Sequence, residues 1–194
     1  EYFVFGARHD LVTRPVLGWW TRKMAVQPVV RKAELLRGGC TEEEANFLNG
    51  RSLMTLASGI SHGYGCVLFP EGTSHNNSYM LRFRTGPMRT VLAASALAKA
   101  SDKELPVLIP MGLHFRTREY FRTDVWVEYG EPIQVEDSDV PQNLVDAVAT
   151  GTWSEPPAES VFKLRDKLRE DLVPLSPNAY SWEEYRGLLL LGHI

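Results

Sequence analysis

The order of apolar and polar segments along the chain predicts alternating helices and strands. Apolar runs of strand length occupy residues 26–30, 65–69 and 105–113. A further pair of strands is expected at residues 124–129 and 133–135, on either side of a Gly-Glu-Pro turn. Strands that alternate with helices favour an α/β fold, with a mixed, mostly parallel sheet flanked by helices.

Helix signals fill the segments between these strands. Residues 10–24 have helical periodicity that Pro15 interrupts early. Thr41 followed by Glu44 is a capping-box pattern, and it predicts a helix that runs to about residue 61. A proline in a first helical turn predicts a further helix over residues 88–100.

The last third of the chain is predicted to be mostly helical. Residues 136–157 are polar and contain proline and glycine, which indicates a loop or a short helix. Residues 161–172 and 182–191 have amphipathic helical patterns. We therefore predict one domain over residues 1–194, with a helical C-terminal extension over residues 136–194.

Composition is ordinary for a globular protein and excludes several classes. The 194 residues are 44% hydrophobic and 23% charged, enough to form the core of a single domain. The formal net charge is −3 and no basic tract is present, so we predict no nucleic-acid partner. Cys40 and Cys66 give neither a metal-ligand spacing nor a disulfide framework, and we predict no metal site.

One amphipathic segment raises the question of a membrane surface. No apolar run approaches the ~18–20 residues of a membrane span. Residues 11–24, however, combine Trp19 and Trp20 with basic residues near the end of the segment. Such a helix can lie in a lipid interface. It can equally pack its apolar face on a protein core, and the pattern alone leaves both alternatives open.

The most informative segment follows the apolar run at residues 65–69. Pro70 ends the run, and Glu71, Gly72, Thr73 and Ser74 come directly after it. Polar groups at the carboxyl end of a buried strand are typical of a ligand cleft. A glycine there lets the backbone approach a ligand closely.

Basic residues follow the same loop. Arg82 and Arg84 precede the helix predicted after Pro87. Arginines beside a helix start favour an anion site, because the unpaired N–H groups of the first turn add to their charge.

The order of several motifs resembles that of the glycerolipid acyltransferases, the glycerol-3-phosphate and 1-acylglycerol-3-phosphate acyltransferases. Residues 69–73, Phe-Pro-Glu-Gly-Thr, resemble the third signature block of that family. Residues 3–31 resemble the second block and its approach, and residues 107–113 resemble the fourth. Residues 125–133 resemble the strand pair that follows the fourth block. Residues 175–186 resemble a tail segment of the glycerol-3-phosphate/dihydroxyacetone-phosphate branch. Blocks in the expected order are stronger evidence than one short match.

The resemblance implies an O-acyltransferase without a cofactor. It implies transfer of a fatty acyl group from acyl-CoA or acyl carrier protein to glycerol 3-phosphate or dihydroxyacetone phosphate, at a membrane on its cytoplasmic face (endoplasmic reticulum in a eukaryote). One alternative is a 1-acylglycerol-3-phosphate or lysophospholipid acyltransferase. Another is a non-catalytic relative that binds lipid or phosphate, since fold alone does not separate these.

The same resemblance assigns roles within the segment. Glu71 and Gly72 are expected to line the acceptor site, and Thr73 and Ser74 to hydrogen-bond the acceptor or close the loop. Arginine forks suit a phosphate dianion, so Arg31, at the end of the second block, and Arg84 are the candidate phosphate contacts. A plainer reading makes Glu71 a capping or loop carboxylate.

The family's catalytic His-x-x-x-x-Asp block is absent from this sequence. Of the five histidines, only His114 has an acid five residues later, at Glu119, and it lies in the fourth block. His9 and Asp10 are adjacent, so their side chains diverge on a strand or a helix. We expect structural or surface roles for these histidines and a catalytic dyad upstream of Glu1.

Overall fold

The structure is a computed structural model that describes residues 3–117 and 119–192, and it contains two sheets. The first sheet is parallel and has the strand order β2-β1-β3; the second is an antiparallel hairpin of β4 and β5. The strands are β1 (Phe3–Arg8), β2 (Val26–Val29), β3 (Gly65–Val67), β4 (Met111–Phe115) and β5 (Val125–Tyr129). The α/β class with a parallel sheet flanked by helices is confirmed.

Eight α-helices are present in the described residues, with two short 3₁₀ turns at Asp137–Asp139 and Val173–Leu175. The helices are α1 (His9–Thr13), α2 (Pro15–Lys23), α3 (Lys32–Arg37), α4 (Glu42–Ser61), α5 (Gly86–Ala100), α6 (Gln142–Ala149), α7 (Ala158–Leu172) and α8 (Trp182–Leu191).

Most predicted helices are found, and the reasons are local. The capping box of α4 is complete, because the Thr41 hydroxyl accepts from the backbone N–H of Glu44 while the Glu44 carboxylate accepts from that of Thr41. Those contacts lower the pKa of Glu44. Pro15 separates α1 from α2, as the pattern indicated.

The strand predicted over residues 105–113 is wrong in its extent. Only Leu108 pairs in the first part of that segment, in an isolated bridge to Ile133, and β4 begins at Met111. Pro106 and Pro110 lack the N–H that a continuous ladder needs. The strand predicted at 133–135 is reduced to the same bridge.

The parallel sheet lies close against α4. A side chain at Gly6 of β1 would collide with Leu68 and would reach to 3.2 Å from Val29 and 3.7 Å from Leu56 of α4. Glycine at this position therefore leaves room for the Leu68 side chain against β1, while Leu56 of α4 lies at an ordinary contact distance.

The main core is centred on α5. Its residues Met88, Val91, Leu92 and Ala96 are buried together with apolar side chains of α6 and α7. A helix that is apolar on all sides has to be enclosed. The C-terminal helices therefore complete the core around α5, while the predicted boundary at residue 136 stays a prediction.

Across residues 3–117 and 119–192, no helix combines the length and the apolar character that crossing a bilayer requires.

Candidate functional site

The carboxyl ends of β2 and β3 bring two distant segments together. Arg31 follows β2 and is the N-cap residue of α3. The carbonyl of Val30 accepts a 2.7 Å hydrogen bond from the Asn49 amide of α4, which holds this strand end in place. Parallel strands end at the same edge of a sheet, so Arg31 reaches the loop after β3.

The loop after β3 begins with a tight turn. The N–H of Gly72 donates to the carbonyl of Phe69 at 3.1 Å, with Pro70 in the second position of the turn. Gly72 has φ +66°, in the left-handed region that favours glycine. The carbonyl of Pro70 accepts from the N–H of Arg84 at 2.7 Å, which brings the two ends of the loop together.

Gly72 lies close to two arginines. The Arg31 guanidinium donates from Nη2 to the Gly72 carbonyl and from Nη1 to Glu34 at 3.3 Å. The stem of Arg84 also lies against Gly72, because a Cβ at Gly72 would be 3.1 Å from Arg84 Cγ. The sequence predicted both arginines at one site, and the structure brings both to Gly72.

The two arginines differ in how their charge is used. Arg31 has an ion-pair partner in Glu34. Arg84 is exposed, and its guanidinium forms no hydrogen bond or ion pair within residues 3–117 and 119–192. An exposed arginine without such a partner retains its donor fork for an anion.

Both oxygens of Glu71 accept hydrogen bonds inside the loop. Oε1 accepts from the backbone N–H of Leu81, and Oε2 lies 3.1 Å from His75 Nε2. The carboxylate is mostly buried, with 23% of the side chain exposed. These contacts give Glu71 the loop-shaping role that the sequence left open. Contact with an acceptor remains a prediction.

His75 is placed beside Glu71 but is not arranged as a base. Its Nδ1 accepts from the backbone N–H of Asn77 at 3.2 Å, so the proton is assigned to Nε2, which donates to Glu71. Both ring nitrogens are thereby engaged. A general base needs an available lone pair aimed at the hydroxyl, and this arrangement does not provide one.

Thr73 and Ser74 line a groove of about 1190 Å³. Its walls are the loop over residues 73–80, the end of β4, residues 176–177 and helix α8, and Glu71 lies in its lining. Both hydroxyl residues are exposed, and Thr73 Oγ1 makes only a long 3.5 Å contact with the Ser74 carbonyl. This placement is compatible with the predicted contact between these hydroxyls and an acceptor, and that contact stays a prediction.

The sequence offered His9 and His114 as the other possible members of a catalytic dyad. His9 is exposed at the start of α1. His114 lies on β4, with Nε2 3.6 Å from Glu128 of the paired strand, and Glu119 is exposed beyond the strand end. Within the part of the chain that the structure describes, no cluster of three His, Cys, Asp or Glu side chains is suited to a metal ion.

Sequence reasoning missed the residues that hold the loop from outside. Arg169, Asn178 and Trp182 each hydrogen-bond to a backbone atom of residues 76–81. They lie 88, 98 and 106 residues from their partners, so no local pattern marks them. The resemblance of residues 175–186 to a branch-specific tail was the one sequence signal near them.

Comparison with known proteins gives matches for most of the chain. The family model described as Acyltransferase matches residues 1–113. Glycerol-3-phosphate O-acyltransferase 2 of Saccharomyces cerevisiae is 30% identical over 151 residues, which are 77% of this chain and 19% of that protein. Glycerol-3-phosphate O-acyltransferase 1 of the same yeast is 28% identical over 76 residues, covering 39% and 10% of the two chains. The chain thus spans a small part of these relatives' lengths, and no solved structure matches it.

Proposed function

This chain belongs to the acyltransferase family, and we propose that it carries the acceptor site of an O-acyltransferase of glycerolipid synthesis. The reaction is transfer of a fatty acyl group to a hydroxyl of glycerol 3-phosphate or dihydroxyacetone phosphate. The observation that carries the proposal is the meeting of Arg31 and Arg84 at Gly72. The names of the two yeast relatives, both glycerol-3-phosphate O-acyltransferases, support the choice of acceptor.

The geometry at Gly72 fits a phosphate dianion. Arg84 offers its whole guanidinium, and Arg31 has N–H donors beyond those that bind Gly72 and Glu34. Helix α5 begins at Gly86, directly after Arg84 and Thr85, so the positive end of its dipole lies near the site. Glu71 and Thr73, the neighbours of Gly72, line the groove, so a phosphate held at these cations would leave the acceptor hydroxyls next to it.

The transfer step sets requirements that these residues meet only in part. The acceptor hydroxyl attacks the carbonyl of the acyl thioester, an ester C–O bond forms, the C–S bond breaks, and the thiol leaves with a proton. A base has to take the hydroxyl proton. Since both nitrogens of His75 are engaged, we propose that the base and its aspartate come from a His-x-x-x-x-Asp block outside this sequence. The acyl thioester is either acyl-CoA or acylated acyl carrier protein.

A thiol-release assay on the full-length protein tests this proposal. Acyl-CoA is supplied with glycerol 3-phosphate, dihydroxyacetone phosphate or 1-acylglycerol 3-phosphate as the acceptor. We expect acceptor-dependent release with the first two and little with the third. Preference for the third would favour the lysophospholipid alternative. Phosphate-ester binding without thiol release would favour a non-catalytic relative.

We also propose that α2 contacts the surface of a membrane, on the cytoplasmic side. Within α2 only Gly18 is buried, whereas Trp19 is 52% and Trp20 56% exposed. The two indole rings meet edge to face at 5.3 Å, and Arg22 and Lys23 follow them in the last turn. Exposed tryptophans beside basic residues suit an anionic lipid interface better than a packed core.

Co-sedimentation with vesicles tests this surface. Replacing Trp19 and Trp20 together by alanine should reduce binding to vesicles that contain anionic lipid. Phe121→Ala is the matched control, because Phe121 is 91% exposed but lies away from α2 in sequence. Equal binding by both variants would remove α2 from the interface.

A further inference from the structure

We propose that the C-terminal tail positions the acceptor loop and thereby sets the affinity for the acceptor. The acceptor loop is residues 71–84, and the tail is residues 176–182 together with Arg169 of α7. The inference rests on the proposed function, because it assigns the tail a role in that same site. It rests on a set of hydrogen bonds between segments about a hundred residues apart.

The centre of the contact is a buried pair, Ser78 and Ala179. The N–H of Ala179 donates to the carbonyl of Ser78 at 3.0 Å, and the Ser78 hydroxyl donates to the carbonyl of Ala179 at 2.9 Å. Each residue is 6% exposed. Buried hydrogen bonds of this kind are costly to break, because the separated groups lose their partners without gaining water.

Side chains of the tail extend the contact to either side. The Asn178 Oδ1 atom accepts from the N–H of Met80 at 3.0 Å. The indole N–H of Trp182 donates to the Asn76 carbonyl at 2.8 Å. The tail therefore holds the backbone of the loop at residues 76, 78 and 80. The loop itself contains little regular secondary structure that could keep it in place.

Leu81 connects this contact to Glu71. The N–H of Leu81 donates to the Glu71 carboxylate, while its carbonyl accepts from Arg169 Nη1 at 2.9 Å. The Arg169 guanidinium also lies 5.4 Å from the ring centre of Phe83, which is 3% exposed. Helix α7 is part of the main core. Arg169 therefore connects Leu81, and through it Glu71, to a well-packed part of the fold.

The consequence concerns binding more than chemistry. A loop that is already ordered loses less conformational entropy when a ligand binds. Arg169, Asn178 and Trp182 are therefore positioning residues, and loosening the tail should weaken acceptor binding in the ground state and the transition state alike. Such a change raises the acceptor KM while kcat changes little.

The test compares Trp182→Phe and Asn178→Ala in the full-length protein. Trp182→Phe keeps an aromatic ring and removes the indole donor, and Asn178→Ala removes the acceptor of the Met80 N–H. Hydrogen exchange should become faster at residues 76–82 in both variants. The acceptor KM should rise about 2- to 10-fold, the usual effect of one hydrogen bond, while the acyl-donor KM stays constant.

Two further variants separate positioning from general loosening. Asn178→Asp keeps an oxygen that accepts from Met80, so exchange and acceptor KM should stay near their original values. Tyr180→Ala is the control, because that side chain is 93% exposed in the middle of the tail. It should alter neither quantity.

The outcomes are distinct. Unchanged exchange in both Trp182→Phe and Asn178→Ala would overturn the proposal. Faster exchange with an unchanged acceptor KM would also overturn it, since the tail would then hold the loop without effect on the acceptor. Absence of transfer by the unmodified protein would count against the proposed function instead, and the exchange rates would still decide whether the tail orders the loop.

Discussion

Arg31 and Gly72 are 41 residues apart in sequence, and the guanidinium of the first donates directly to the carbonyl of the second. This bond joins the segment after β2 to the turn after β3. The stem of Arg84 also lies against Gly72. The proposed phosphate site depends on this arrangement.

Arg31→Lys should weaken acceptor binding although the positive charge is kept. An ammonium is a point donor without the planar fork that lets Arg31 bind Gly72 and Glu34 together. We expect the acceptor KM to rise about 2- to 10-fold with the donor KM unchanged. Arg37→Lys is the matched control, since Arg37 bonds only within α3, to the Ala33 carbonyl, among the described contacts. A rise confined to the donor KM would assign Arg31 to the donor site.

Gly72→Ala should destabilise the fold as well as the site. A left-handed φ of +66° is unfavourable for alanine, and the new Cβ would press on Arg84 at 3.1 Å. We expect a loss of about 1–3 kcal/mol in the free energy of unfolding, measured by urea titration. Gly187→Ala in α8 meets nothing within 4 Å and should be neutral or stabilising by up to about 1 kcal/mol. Equal losses in the two variants would show that neither backbone strain nor Arg84 matters at Gly72.

Glu71→Ala should leave the protein folded and remove most of the acyl transfer. The variant leaves the N–H of Leu81 without this acceptor and removes the acceptor of His75 Nε2, so the loop loses its shape beside the arginines. Glu71→Gln keeps one oxygen for Leu81 but presents an N–H group towards His75 or Leu81, and we expect an intermediate rate. Circular dichroism should show that both variants are folded. Transfer kinetics like those of the unmodified protein in a folded Glu71→Ala variant would contradict any role of this carboxylate in the acceptor site.

Cys66 should react slowly in the folded protein. Burial raises the pKa of its thiol to about 11, from an ordinary value of 9.0, because the thiolate is poorly solvated there. The folded state thus holds the thiol proton more tightly than the unfolded state does. Its contribution to stability is complete below pH 9 and is lost as the pH rises through about 11. Peptide mapping after iodoacetamide treatment at pH 8 should find that Cys66 is alkylated much more slowly in the native protein than after denaturation. Rapid alkylation of the native protein would contradict the burial.

Local chemistry explains which parts of the fold were predictable. Thr41 and Glu44 form their capping box within one helical turn, and α8 begins after Ser181, whose hydroxyl accepts from the N–H of Glu184. The alternation of strands and helices favoured a parallel sheet, but its central strand β1 was not among the predicted strands. The family is confirmed by the match over residues 1–113.

The candidate site was predictable in its residues but not in its contacts. The sequence pattern placed Glu71 and Gly72 at a strand end and Arg84 beside a helix start, and the resemblance added Arg31. No pattern could show that Glu71 uses both oxygens inside its own loop, since Leu81 contributes a backbone N–H that any residue has. The short helix α3 was also missed, because its six residues carry too little periodicity.

The most direct test of the phosphate site compares Arg84→Gln with Arg82→Gln in the full-length protein. Both residues are exposed arginines in the same loop, but only the stem of Arg84 lies against Gly72. Steady-state kinetics should show that Arg84→Gln raises the glycerol 3-phosphate KM about 10- to 150-fold, equivalent to the ~1.5–3 kcal/mol of a charge-assisted contact. Arg82→Gln should change it little, and the acyl-donor KM should be constant in both. An unchanged acceptor KM in Arg84→Gln would contradict the assignment of this site to the acceptor phosphate.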